Sequence, residues 1–248
     1  MTTYTTKWFS GQVTGAHASA GVVVPLVMNL VRPDGVVDIG CGMGAWLAEF
    51  LKAGVKDVLG LDGDYIDRSM LAIPAEKFRV HDLTRPLPAE RKFDLAVSLE
   101  VAEHLPAGVA EQFVNGLTQL APVVLFSAAI PGQGGNRHVN EQWPSYWAGL
   151  FEERGYILMD PIRPAVWNEP RVEWWYKQNT FLYATRQRVA CDQALTRLAG
   201  EARTRPVDVV HPQLFMDVSR MASQAAKSLV RRQAGRARRA IKSIVRGT

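Results

Sequence analysis

Apolar positions along the chain fall into short runs and longer periodic stretches, and their order predicts the elements. Between Ser19 and Val31 apolar residues crowd one stretch, Val22-Val23-Val24 onward, with Ser19 placed to cap a helix and Pro33-Asp34-Gly35 placed to stop it. The next run, Val36-Val37-Asp38-Ile39, is strand-sized and breaks directly into Gly40-Cys41-Gly42-Met43-Gly44. That pattern predicts a buried strand, a tight glycine turn and a helix through Trp46, Leu47 and Phe50, ended by Gly54. A second strand, Val58 to Leu61, meets Asp62-Gly63-Asp64, and a third, Phe78 to Val80, stops at His81-Asp82-Leu83. Phe93 to Leu99 and Val123 to Ala128 predict the fourth and fifth strands, with a helix over Ala110–Leu120 between them. Strands alternating with helices predict a parallel sheet with right-handed crossovers. Beyond Gly155 the rhythm changes: Tyr156–Met159 and Asn179–Thr185 read as strands joined by a long Trp- and Pro-rich segment, and no internal repeat is visible.

Composition narrows the class. A chain of 248 residues suits one α/β domain with an extension, and 47% apolar content excludes disorder throughout. Two cysteines, Cys41 and Cys191, cannot build a disulfide framework or a Cys-only zinc site, which points to a reducing compartment. The opening residues MTTYTTKWFS lack a charged-then-apolar leader pattern, and the apolar stretch Ala18–Val31 is interrupted by Pro25 and Asn29 and is too short to span a bilayer. A cytoplasmic protein is the expectation.

The formal charge of +5 is unevenly placed. From Val218 to the end there are nine basic residues and no acid, so residues 1–217 hold 20 basic against 24 acidic residues, a net of −4. Polyanion affinity therefore belongs to the tail and not to the domain. In the tail Val218, Met221, Ala222, Ala225, Leu229, Val230, Ile241, Ile244 and Val245 recur at spacings of three and four with Arg and Lys between them, predicting a cationic amphipathic helix with Gly235 as its weak point. Such a helix suits an anionic membrane surface, where the protein would be peripheral, or an acidic protein partner; nucleic acid is less favoured because no RNA-binding module accompanies it. The expected division is residues 1–186 for the domain and 187–248 for the helical extension.

Candidate chemistry clusters at the strand ends, where open α/β sheets bind ligands. Gly40, Gly42 and Gly44 remove side chains where backbone must approach a cofactor. Asp62, 18 residues after Gly44, is placed to accept both hydroxyls of a ribose, with Gly63 beside it. Asp82 can accept from an exocyclic amine while the Leu83 N–H meets a ring nitrogen, together holding an adenine. Gly40-x-Gly42-x-x-Ala45 also meets a relaxed dinucleotide fingerprint, but Asp38 and Asp82-Leu83 have no place in that scheme. The series Val37-Asp38-Ile39-Gly40-Cys41-Gly42-Met43-Gly44, with Asp62 and Asp82, resembles class I S-adenosylmethionine-dependent methyltransferases over about residues 19–186. The resemblance implies a doubly wound, mostly parallel seven-stranded Rossmann-like sheet, and S-adenosyl-L-methionine as cofactor held by Asp38, Gly40, Cys41, Gly42, Gly44, Asp62, Gly63, Asp82, Leu83 and Leu99.

After the fourth strand, Ser98-Leu99-Glu100-Val101-Ala102-Glu103-His104 places Glu100, Glu103 and His104 at i, i+3 and i+4, one face if the turn is helical. Two carboxylates and an imidazole suit a divalent metal ion such as Mg or Mn, with His138 in the loop after the fifth strand as a further ligand. This E-x-x-E-H pattern resembles ubiquinone-pathway O-methyltransferases and small-RNA 3′-terminal 2′-O-methyltransferases, which implies a metal on Glu100, Glu103, His104 and His138. The other reading, open at this point, is a Glu-His pair that caps a helix or touches the acceptor, with His104 or His138 as general base. Eleven aromatic residues between Trp143 and Tyr183, with Asn140, Glu141, Gln178 and Asn179, suit a sugar or a flat acceptor, although part of them must be core. His138–Trp143 and Trp174–Asn179 are similar to bacterial methyltransferases of polysaccharide and glycolipid assembly. The resulting expectation is O-methylation of a sugar hydroxyl on a small-molecule or glycan acceptor; RNA ribose 2′-O-methylation and a catalytically inactive binding module are the alternatives.

Overall fold

The computed structural model describes residues 6–246, and the side chains of residues 15–229, 231 and 232. The chain runs α1 (Thr6–Val31), β1 (Gly35–Ile39), α2 (Ala45–Lys52), β2 (Asp57–Asp62), β3 (Phe78–Val80), β4 (Leu95–Leu99), α3 (Ala110–Leu120), β5 (Val123–Ser127), α4 (Pro144–Glu153), β6 (Tyr156–Met159), α5 (Ile162–Val166), α6 (Trp174–Asn179), β7 (Phe181–Thr185), α7 (Arg186–Ala190), α8 (Gln193–Ala202) and α9 (Pro212–Arg246). The strands form one seven-stranded sheet in the order β3-β2-β1-β4-β5-β7-β6. β1 to β5 pair in parallel, and β7 is antiparallel to both β5 and β6. The α/β fold expected from the strand-helix alternation is therefore present, with a mostly parallel sheet. Because β2 and β3 lie on one side of β1 and β4 on the other, the order in which strands are added reverses between β1 and β4, which opens a crevice at their C-terminal ends.

Strands buried on both faces need apolar residues at consecutive positions, and β1, β4 and β5 are buried throughout. Val36, Leu95, Val97 and Leu125 pack with α1, α2, α5 and α8 through Val23, Val27, Leu47, Phe50, Ile162 and Leu195. Val37, Ile39, Val124 and Phe126 face the other way onto α3 and α4 through Phe113, Leu117, Trp147 and Phe151.

Three boundaries differ from expectation. Ser19 does not cap a helix; it lies inside α1, where its hydroxyl donates to the Gly15 carbonyl at 2.8 Å and accepts the Glu173 N–H at 3.0 Å, so its polar group is satisfied by one partner in the helix and one outside it. Asn179 ends α6 and does not begin a strand. The boundary at residue 186 falls inside the first compact unit, because α7 and α8 pack on β6 and β7 and the chain divides after Val209. Arg163 fastens that last stretch: its guanidinium is bidentate on Asp160 (3.0 and 2.8 Å), bonds the carbonyls of Pro206 and Val207, and stacks 4.0 Å over Phe181. The second unit contains α9, an unbroken helix through Gly235. Among the described residues no helix is long and apolar enough to cross a membrane.

Candidate active site

The crevice is built first by the turn after β1. Gly40 takes φ 82°, and a Cβ there would lie 2.4 Å from Val101 Cγ2, so the turns after β1 and β4 can touch only with glycine at this place. Gly42 has φ 53°, and a Cβ there would meet nothing within 4 Å, so its backbone borders open space. Gly44 is the N-cap of α2. At the end of β2 the buried Asp62 is fastened by both loops: Oδ2 accepts the Gly42 N–H and Oδ1 the Gly63 N–H, each at 2.7 Å. Oδ1 also accepts the Tyr65 hydroxyl at 2.5 Å.

Beneath the glycines Asp38 is buried, and its Oδ2 has no hydrogen-bond partner. Burial first, and the Asp62 charge second, hold its carboxyl well above the usual carboxylate range. A buried acid in want of a cation, beside open glycine backbone and a ribose-type carboxylate, fits a ligand carrying an ammonium and a nucleoside. Cys41 is buried and its thiol is pushed up by that burial, then by Asp38 and Asp62, which makes it packing and not a nucleophile. After β3, Asp82 is exposed and its Oδ1 accepts the Thr84 hydroxyl and N–H, the side-chain bond chiefly lowering its pKa. Leu83 is half-buried against the α3 side of the sheet, and Leu99 is buried at the end of β4.

The turn after β4 departs from the expected single face. Glu100 adopts φ 56°, a left-handed conformation, and only Ala102–His104 form a 3-10 turn, so the i, i+3, i+4 rule does not hold across the break. Glu100 is accordingly not part of the ligand cluster. Its Oε1 accepts from Asn179 Nδ2 at 3.1 Å and its Oε2 from Gln133 Nε2 at 2.8 Å, while its N–H donates to the Ser127 carbonyl and hydroxyl. Burial raises its pKa against those hydrogen bonds.

Glu103, His104 and His138 do converge, with candidate ligand atoms within 4.8 Å of one another. The loop carrying His138 is tied to the turn because the N–H groups of Val139 and Asn140 both donate to the Glu103 carbonyl, at 2.8 and 3.0 Å. His138 Nδ1 lies 2.9 Å from Glu141 Oε1, and the Glu141 carboxylate also accepts the N–H groups of Gly132 and Gly134 at 2.8 Å. That contact favours the tautomer that leaves Nε2 with a lone pair. The His104 and His138 rings meet edge to face at 4.8 Å. Glu103 is fully buried and neither of its oxygens has a side-chain hydrogen-bond partner; burial, then the Glu100 charge, raise its carboxyl well above the usual range against the pull of the Glu103 and Ala129 N–H groups. Partial burial of the His104 ring, then the His138 charge, lower the His104 pKa. A buried carboxylate without a side-chain partner beside two imidazoles fits a divalent transition-metal ion better than Mg, which prefers oxygen ligands.

Sequence reasoning passes over three residues here. Gln133 is the one side chain in Gly132-Gln133-Gly134-Gly135, and that isolation among glycines is the available signal. Tyr65 gives none. Tyr176 falls among the aromatics of the second half, yet it is buried edge-on to Trp46 at 5.1 Å, with its hydroxyl pKa raised by burial and then by Glu100. Of the other aromatics, Trp147, Phe151, Tyr156, Phe181 and Tyr183 are core, with Phe151 and Tyr183 stacked at 4.0 Å, whereas Trp143 and Tyr146 are exposed just beyond the His138 loop.

Residues 24–176 match the family model described as a methyltransferase domain. The chain belongs to this methyltransferase family. Ribosomal protein L11 methyltransferases of Shewanella baltica and Shewanella putrefaciens are each 31% identical to it over 113 residues, 45% of this chain and 36% of theirs. The match thus spans little more than a third of the length of those relatives. Among solved structures, Streptomyces venezuelae DesVI superposes with a TM-score of 0.53 at 14% identity, covering 72% of this chain and 95% of that one. The methyltransferase domain of bacterial CtHen1-C gives 0.51 at 18% identity, covering 68% and 98%. At such identities the likeness is one of fold. The matched stretch of this methyltransferase includes Asp38, Asp62, Asp82, Glu103, His104 and His138, and it ends within α6, before Asn179.

Proposed function

We propose that this domain transfers a methyl group from S-adenosyl-L-methionine to a hydroxyl oxygen, and that the acceptor is a sugar on a glycan, a glycolipid or a glycosylated metabolite. The observation that carries the reading is Glu103, a fully buried carboxylate with no side-chain hydrogen bond, clustered with His104 and His138. Family membership and the cofactor-type crevice support the methyl donor; the cluster supports oxygen as the atom methylated.

In this account Asp38 receives the ammonium of the cofactor, Asp62 the ribose hydroxyls, and Asp82 with the Leu83 N–H the adenine edge. The sulfonium supplies the methyl group and leaves as a neutral thioether, so the remaining demands are alignment and removal of the hydroxyl proton. Without a cation His104, its pKa lowered by partial burial and then by His138, takes that proton; with a cation bound its nitrogen is a ligand and no longer a base. Glu103, His104 and His138 would hold a divalent cation, which when bound draws charge from a hydroxyl and makes it easier to ionise. Glu141 orients His138, and Glu100 with Gln133 and Asn179 forms a fixed polar wall between the turn after β4 and α6. Trp143 and Tyr146 offer exposed ring faces to the C–H face of a sugar.

The test is methyl transfer to a panel of glycosides and nucleotide sugars, with short RNA as a second arm, read by mass and fragmentation. A methyl ether on a sugar hydroxyl, lost in chelator and in His138→Ala, supports the proposal. Transfer to nitrogen or carbon, or turnover indifferent to both perturbations, would overturn it. RNA ribose methylation is the second reading, favoured by the nine basic residues after Asp217, and it requires the RNA arm to be the productive one.

A further inference from the structure

α9 runs unbroken for 35 residues, about 52 Å at 1.5 Å per residue. Along its described part Phe215, Val218, Ala222, Ala226 and Leu229 recur every three or four residues and are all exposed, with Phe215 at 64% and Leu229 at 58%. The same spacing continues in the sequence through Ala237, Ala240 and Ile244, with Gln233 the one polar interruption. At 100° per residue these positions share one half of the helix, while Arg220, Lys227 and Arg231, continued by Arg238, Arg239, Lys242 and Arg246, fall in the other; Arg232 falls on the boundary, and Arg236 is the one basic position in line with Val218. After Asp217 no acid offsets the nine basic residues.

We propose that α9 is an interfacial helix that lies flat on an anionic lipid bilayer, its apolar half in the acyl boundary and its arginines and lysines among the headgroup phosphates. A second copy of the chain is a poor occupant of this face, because pairing two such helices through their apolar halves supplies no counter-charge to either basic half. RNA would satisfy the basic half but leave Phe215, Val218 and Leu229 in water. An anionic bilayer answers both halves at once, and the strongly charged face with low overall hydrophobicity is what separates an interfacial helix from a spanning one. The proposal is independent of which acceptor the domain methylates.

The full-length protein tests it by flotation with vesicles of phosphatidylcholine alone or mixed with phosphatidylglycerol. The expected result is binding to the mixed vesicles and none to phosphatidylcholine alone, falling at least tenfold when salt is raised. Phe215→Glu with Leu229→Glu should abolish flotation, and Lys227→Glu with Arg231→Glu should do the same, while the melting profile of the domain is unchanged. No flotation with phosphatidylglycerol overturns the proposal. So does flotation unaffected by the Phe215 and Leu229 exchange, or single-stranded RNA displacing the vesicles from the wild-type chain.

Discussion

Replacing Glu103 by Gln should stabilise the cation-free protein at neutral and alkaline pH. The side chain is fully buried, its oxygens have no side-chain partner, and Glu100 and Glu141 add like charge that the Glu103 and Ala129 N–H groups only partly offset. Its folded-state pKa is therefore raised above the unfolded value, so the native state holds the proton more tightly. The resulting stability is complete below the ordinary carboxylate range near pH 4 and is lost as pH rises through the raised folded value. Leaving a buried polar group unsatisfied costs about 1–3 kcal/mol and a charged one more, so for a chain of this size the melting shift should reach at least about 2–12 °C. Glutamine keeps the shape and does not titrate, at the expense of a small offset from its own amide that is independent of pH. Thermal melts followed by circular dichroism in chelator should show the two proteins close together at acid pH and diverging as pH rises, with the variant higher. Adding Mn should then raise the wild type and leave the variant unmoved. A gap that stays constant with pH, or a variant less stable at pH 8 than at pH 5 relative to wild type, would refute the idea that Glu103 is an uncompensated charge awaiting a cation.

Glu141→Gln keeps the fold but releases His138, and cation affinity measured by calorimetry should fall 10- to 100-fold, about the usual effect of losing such an orienting carboxylate; unchanged affinity would leave Glu141 a loop staple only. Gly40→Ala places a methyl 2.4 Å from Val101 in a left-handed conformation, so it should cost about 1–3 kcal/mol in urea unfolding, with partial recovery in Val101→Ala. Tyr65→Phe removes a hydroxyl from the Asp62 oxygen that a ribose must reach, so cofactor binding should tighten by about fivefold, the worth of one hydrogen bond; weaker binding would mean that Tyr65 itself touches the ligand.

The strands of the first half are legible because each is a short apolar run ended by glycine or an acid, signals that survive without tertiary context. Asp38 and Asp62 are equally plain, since strand ends fix where their carboxylates go. The departure at Glu100 has a definite cause: spacing implies a shared face only when the backbone between the residues is helical, and a left-handed residue is not announced by a glutamate. Gln133 and Asn179 escape notice as partners of Glu100 because they come from segments 33 and 79 residues away, brought together only by the sheet. Ser19 reads as a cap for a similar reason: its second partner, Glu173, is 154 residues distant.

The reversal of β7 has a consequence for how this domain can diversify. Phe181 opens β7 and pairs with Phe126 near the close of β5, so the chain enters that strand at the edge where the parallel strands leave theirs. A parallel strand lends that edge the loop that follows it; this one lends the helix that comes before. α6 thereby reaches Glu100 through Asn179 while being separated in the sequence from every loop that lines the nucleoside side. One short helix thus touches both sides of the crevice, Asn179 at the turn after β4 and Tyr176 against Trp46 just past the glycine turn, so a substitution in Trp174–Asn179 is felt on one side or the other according to which of these residues it changes.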